Sequence, residues 1–111
     1  MAYDEELADR VRVLLAAEEG LTERKMFGGL AFMVEGNMAC GIVRDELMLR
    51  LGAEGAESAL EHPAVRQMDF TGRPMTGMVY VEPGGLDEAQ LGRWVERARD
   101  FARSLPPKKP K

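Results

Sequence analysis

The chain has 111 residues, 45% of them hydrophobic and 31% charged, with a formal net charge of -4 at pH 7. Domains cluster near ~100 to 150 residues, so this is enough for one core and too little for two. One cysteine, Cys40, and one histidine, His62, exclude an intrachain disulfide and an ordinary zinc or haem site, and a lone thiol points to a reducing compartment.

The elements follow in chain order. Asp4 is placed to cap a first helix whose apolar positions Leu7, Val11, Leu14 and Leu15 recur at helical spacing, and Gly20 is the expected stop. Leu30, Phe32 and Val34 then alternate with Ala31 and Met33. Gly36-Asn37 reads as a two-residue hairpin loop into Met38, Cys40 and Ile42, which alternate with Ala39, Gly41 and Val43. On this alternation Cys40 shares a face with Met38 and Ile42. A turn at Arg44-Asp45-Glu46 leads to Leu47, Leu49 and Leu51, with Met48 and Arg50 opposite, so one side of the meander is packed and the other partly wet. Residues 52–62, GAEGAESALEH, support a short helix ended by Pro63. Val65 to Phe70 and Met75 to Val81 are two further strands. Asp87 is placed to cap a final helix with the apolar stripe Leu91, Trp94, Val95, Ala98, Phe101, Ala102 and Leu105. The expected fold is α+β: helix, three-strand antiparallel meander, helix, two strands, helix (α-β3-α-β2-α), with the helices mainly on one face of the sheet. The domain spans residues 1–104. Residues 105–111, LPPKKPK, read as a disordered basic Pro/Lys tail.

Charge is distributed unevenly. Residues 1–20 hold six acids against Arg10 and Arg12, and residues 91–111 hold seven basic groups against Glu96 and Asp100. Arg97, Arg99 and Arg103 fall in the last turns of the final helix, where cations complement its dipole, so direct nucleic-acid binding is not expected. The start, MAYDEELADR, carries acids where a signal peptide has an apolar core, and no stretch approaches the ~20 apolar residues of a membrane span. The expectation is a cytoplasmic protein with no membrane association, no metal and no cofactor.

The segment Arg24-Lys25-Met26-Phe27-Gly28-Gly29-Leu30-Ala31-Phe32-Met33 resembles the signature of the TfoX/Sxy N-terminal domain family, in which a basic residue precedes Met-Phe-Gly-Gly and a strand. Gly36-Asn37-Met38, Asp45-Glu46-Leu47-Met48-Leu49-Arg50 and Met78-Val79-Tyr80-Val81-Glu82-Pro83 follow in the order of that family, so the resemblance covers roughly residues 4–104. It implies the same α-β3-α-β2-α fold. Named members regulate natural competence for DNA uptake together with other transcription factors and carry a second, C-terminal domain that is not expected here. The resemblance implies no catalytic residue.

No set of residues in the chain reads as catalytic. Cys40 is expected to be buried and inert, with nothing to bring His62 beside it as a base. Asp4, Glu5, Glu6 and Asp9 favour the start of the first helix, and Glu54, Glu57 and Glu61 follow the solvent face of the second. The expected function is therefore a non-enzymatic bacterial regulatory module that binds a protein partner, with a homodimer expected from the methionines of the second sheet face and an open edge strand. The candidate partner- or ligand-binding residues are Arg24, Lys25, Met26, Phe27, Gly28 and Gly29. The alternative is a small anionic-ligand domain or enzyme that uses the same bend, where two cations precede glycines able to bring backbone N–H groups to an anion.

Overall fold

The inward side chains of the strands are apolar, and three helices are laid over them. In a computed structural model that describes residues 3–26, 28–70 and 73–106, the order is α1 (Glu5–Leu15), β1 (Leu21–Met26), β2 (Gly29–Val34), β3 (Asn37–Val43), β4 (Glu46–Arg50), α2 (Gly52–Ala59), β5 (Val65–Phe70), β6 (Arg73–Val81), a 3-10 turn (Pro83–Gly85) and α3 (Glu88–Ser104). The strands form one antiparallel sheet in the order β1-β2-β3-β4-β6-β5.

One core joins the inner face to all three helices. Leu30, Phe32 and Val34 of β2, Cys40 and Ile42 of β3, Leu47 and Leu49 of β4, Val65 of β5, and Val79 and Val81 of β6 bury against Leu7, Val11 and Leu15 of α1, Ala56 and Ala59 of α2, and Leu91, Trp94, Val95, Ala98 and Ala102 of α3. Asp4 accepts the Leu7 amide at 3.1 Å and Asp87 the Gln90 amide at 2.8 Å, so α1 and α3 begin at the expected caps. The α+β class and the three helices agree with the sequence reading, whereas the meander expected with three strands has four, β1 to β4.

The structure corrects that reading in four places. There are six strands among the described residues, not five, because Leu21–Met26 is an edge strand paired along its length with β2. Its interior, Thr22, Glu23, Arg24 and Lys25, is exposed on both alternations, so it carries no apolar period. Helix α1 stops at Leu15, well before Gly20. Leu14, read as part of its buried stripe, is 44% exposed.

The β2–β3 loop is Glu35-Gly36 rather than Gly36-Asn37. Val34 pairs with Asn37, and both loop residues have positive φ, 51° and 82°, as a type I′ hairpin turn requires. Asn37 belongs to β3, is buried, and donates from Nδ2 to the Pro106 carbonyl at 2.9 Å, which holds the chain beyond α3 against the hairpin. Residues 107–111 of the expected tail lie outside the described residues.

Finally, Cys40 does not share a face with Met38. Phe32 pairs with Cys40 and the next residue, Met33, with Met38, so Ala39 is the extra residue of a β-bulge. The bulge offsets the alternation by one. Cys40 and Ile42 remain in the inner core while Met38 joins Val43, Met48, Met78 and Tyr80 in a separate cluster on the outer face.

Two substitutions read this arrangement. Phe32→Ala, at a fully buried ring, is expected to lower the unfolding free energy by about 3 to 5 kcal/mol in a urea titration. Val13→Ala, at a residue 76% exposed, is expected to stay within about 0.5 kcal/mol of the parent.

Candidate functional site

The signature run lies at the β1–β2 hairpin. Arg24 pairs with Ala31, Lys25 with Leu30 and Met26 with Gly29, so the chain reverses between Met26 and Gly29. Phe27, a candidate site residue, lies outside the described residues. Gly28 has a φ of +73° and open space around it, whereas a Cβ at Gly29 would collide with the Ile42 carbonyl oxygen of β3. The first glycine serves the turn and the second lets β2 lie close to β3.

Arg24 and Lys25 are exposed, and neither has a hydrogen bond or ion pair among the described residues. Their neighbour Glu23 is engaged. It takes both Arg12 Nε and Nη2, at 2.8 and 3.0 Å, and ties β1 to α1. The edge strand therefore presents two unpaired cations and no unpaired anion between Glu23 and Met26. The sheet order leaves β1 with a strand neighbour on one side only.

Of the other basic residues singled out in the sequence, Arg12, Arg99 and Arg103 are neutralised by carboxylates, whereas Arg10, Arg50 and Arg97 have no ion pair among the described residues. Arg103 Nε and Arg99 Nη1 reach the two carboxylate oxygens of Glu18 at 2.9 and 3.5 Å, and Arg103 also donates to the Glu19 carbonyl, so the C-terminal half of α3 is fastened to the α1–β1 connection. On the outer face Arg66 binds Glu46 through two bonds of 2.6 and 3.2 Å and lies 4.6 Å from the centre of the Tyr80 ring. Arg50, expected on that face, instead places its guanidinium 5.7 Å from the Phe101 ring of α3.

Cys40 and His62 are not brought together by any hydrogen bond. Cys40 is buried in the inner core, and burial pushes its thiol up to about 12. His62 accepts the Ala64 amide at Nδ1 and meets Trp94 edge-on. No group of three or more His, Cys, Asp and Glu suited to a metal ion occurs among the described residues. No helix among them is long and apolar enough to cross a membrane.

Sequence reasoning gave Trp94 to the core stripe and Arg97 to the helix dipole, and it overlooked that both border one cavity with His62, Gln90 and Arg93. The signal was present as residues 90, 93, 94 and 97, one face of a helix carrying two cations around an indole.

An antiparallel sheet backed by helices on one face, with a charged edge strand and a tight glycine hairpin, defines a small α+β domain. The TfoX N-terminal domain family matches residues 13–102, most of the chain, and the protein belongs to that family. Comparison with curated proteins and with solved structures finds no match.

Gly29→Ala is expected to cost more stability than Gly28→Ala, for which about 1 to 2 kcal/mol is expected from the left-handed backbone alone, as read by thermal and urea unfolding. The thiol gives a pH effect of known sign. The native core accepts only neutral Cys40, so the unfolded chain ionises first, near the ordinary 9.0, and this contribution is whole below that pH and lost as pH rises towards 12. Unfolding free energies compared between parent and Cys40→Ala are expected to converge above pH ~9, at up to about 1.4 kcal/mol per pH unit.

Proposed function

We propose that the chain is a non-enzymatic, cytoplasmic bacterial regulatory module of the TfoX type that works by binding another protein along β1. The family match supports the regulatory class. The observation that carries the binding mode is the state of the edge: Thr22 to Lys25 are exposed, the strand has one neighbour, and Arg24 and Lys25 have no ion-pair partner among the described residues. A free edge pairs with an extended segment through main-chain hydrogen bonds, and the cations favour an acidic one. A cradle for a free anion at the hairpin is the weaker reading. Gly28 has nothing within contact distance of a Cβ and Gly29 is filled by the approach of β3, so the glycines are explained by the turn and by packing.

The test is capture from native cell extract with the parent and with Arg24→Glu, Lys25→Glu. The double reversal is expected to leave the melting temperature nearly unchanged, since substitutions of exposed charges usually stay within about 0.5 kcal/mol each, and to reduce capture of the partner several-fold. Equal capture by both forms overturns the assignment to β1. Phe27→Ala is expected from the sequence to destabilise the fold by about 3 to 5 kcal/mol; loss of capture with stability intact would instead make Phe27 a contact residue. Light scattering of the purified protein separates a homodimer along the same edge from the 12.3 kDa monomer.

A further inference from the structure

Around the single tryptophan of the sequence the fold gathers cations that no carboxylate neutralises. Gln90, Arg93, Trp94 and Arg97 share one face of α3, each three and four residues from two of the others, and with His62 they line a cavity of about 160 Å³. The indole is fixed: Trp94 is buried and its Nε1 donates to the Gly85 carbonyl at 3.1 Å. His62 stands against it with ring centres 5.6 Å apart and planes at 75°. Because His62 Nδ1 accepts the Ala64 amide at 3.0 Å, the neutral ring carries its proton on Nε2 and has a donor to offer there.

The two arginines share with Arg10, Arg24, Arg44 and Arg50 the lack of a carboxylate partner among the described residues, but here two such groups line one cavity. Arg12, Arg66, Arg99 and Arg103 all have carboxylate partners within 4.0 Å. Arg93 and Arg97, one helical turn apart, have none among the described residues, and like charges at that spacing repel. Arg97 lies 5.3 Å from the centre of the Trp94 ring and donates one Nη2 bond, at 3.2 Å, to the Gly55 carbonyl of α2, which leaves most of its donors unused. Asp87 is the acid whose field reaches Arg93, but it forms no ion pair with it, and its two oxygens accept the backbone amide and the Nε2 of Gln90, at 2.8 and 3.0 Å. That second bond also fixes the orientation of the Gln90 amide, whose Oε1 is left sealed from solvent without a donor. Packing of α3 calls for the indole; it does not call for two guanidinium groups without a carboxylate partner beside it.

We propose that this cavity binds a small oxyanion, a carboxylate or a phosphate carried on a compact planar group. Arg93 and Arg97 hold the charged end beside the His62 Nε2–H, and the planar group rests against Trp94. Guanidinium forks match both oxyanions, and a cavity of about 150 Å³ is enough for a benzene ring. The site lies on the helix layer, away from β1, and does not depend on the function proposed for that edge.

Trp94 is the only tryptophan, so its fluorescence reads occupancy directly. Benzoate, phenyl phosphate and inorganic phosphate are titrated at constant ionic strength, with chloride as the reference anion. A saturable change is expected with at least one aromatic anion and not with chloride, and the preference between benzoate and phenyl phosphate identifies the oxyanion. Arg93→Gln, at an exposed residue, is expected to keep the melting temperature and weaken binding about ten-fold or more. Arg24→Glu with Lys25→Glu is expected to leave it unchanged. The assignment is overturned if none of the three probes gives a saturable change at millimolar concentration, or if Arg93→Gln binds as the parent does.

Discussion

Everything in this fold depends on a sheet that buries one face under helices and leaves the other to its own side chains. Each inward strand position must then be apolar and each helix must spend its apolar stripe on the same core, which is why Leu47 and Leu49 point in while Met48 points out. The outer cluster of Val43, Met48, Met78 and Tyr80 includes no helix residue, and its members are still at most 9% exposed. Long, adaptable methionines and a tyrosine under Arg66 close that surface from within the sheet.

The same economy governs the charges. Seven basic groups in the last 21 residues look in the sequence like a patch for a polyanion, but Arg99 and Arg103 are spent on Glu18. These exposed or half-exposed pairs contribute little stability each, since surface ion pairs are worth about 0 to 1 kcal/mol. Their structural consequence is orientation: they settle where the end of α3 sits relative to the connection into β1. Among the described residues, cations without a carboxylate partner stand as neighbouring pairs in two places, Arg24 and Lys25 on β1 and Arg93 and Arg97 around Trp94, while Arg10, Arg44 and Arg50 also lack one.

Much of the architecture was legible because the burial pattern is regular where the helices cover the sheet. Leu30, Phe32 and Val34, the leucines of β4, and the caps Asp4 and Asp87 all follow from period and chemistry. Strand β1 was hidden for the converse reason: an edge exposed on both sides needs no apolar alternation, and LTERKM has none. Met38 was given the wrong face because a bulge is a property of strand pairing, which a single strand does not display. The Trp94 cavity escaped notice because it joins His62 to residues 28 and more positions away, and because Trp94 and Arg97 each had a sufficient explanation alone.

The bulge at Ala39 also bears on how such a chain tolerates changes in length. Removing one residue from a half-buried strand normally turns every side chain beyond the deletion to the opposite face. Ala39 is the position in β3 where this does not hold, because it is already the surplus residue of the pair: without it Cys40 still faces the helices and Met38 still faces out. Loss of this residue keeps the facing of the strand and costs the core one small, fully buried side chain, whereas the same loss at Gly41 or Ile42 sends Cys40 outward.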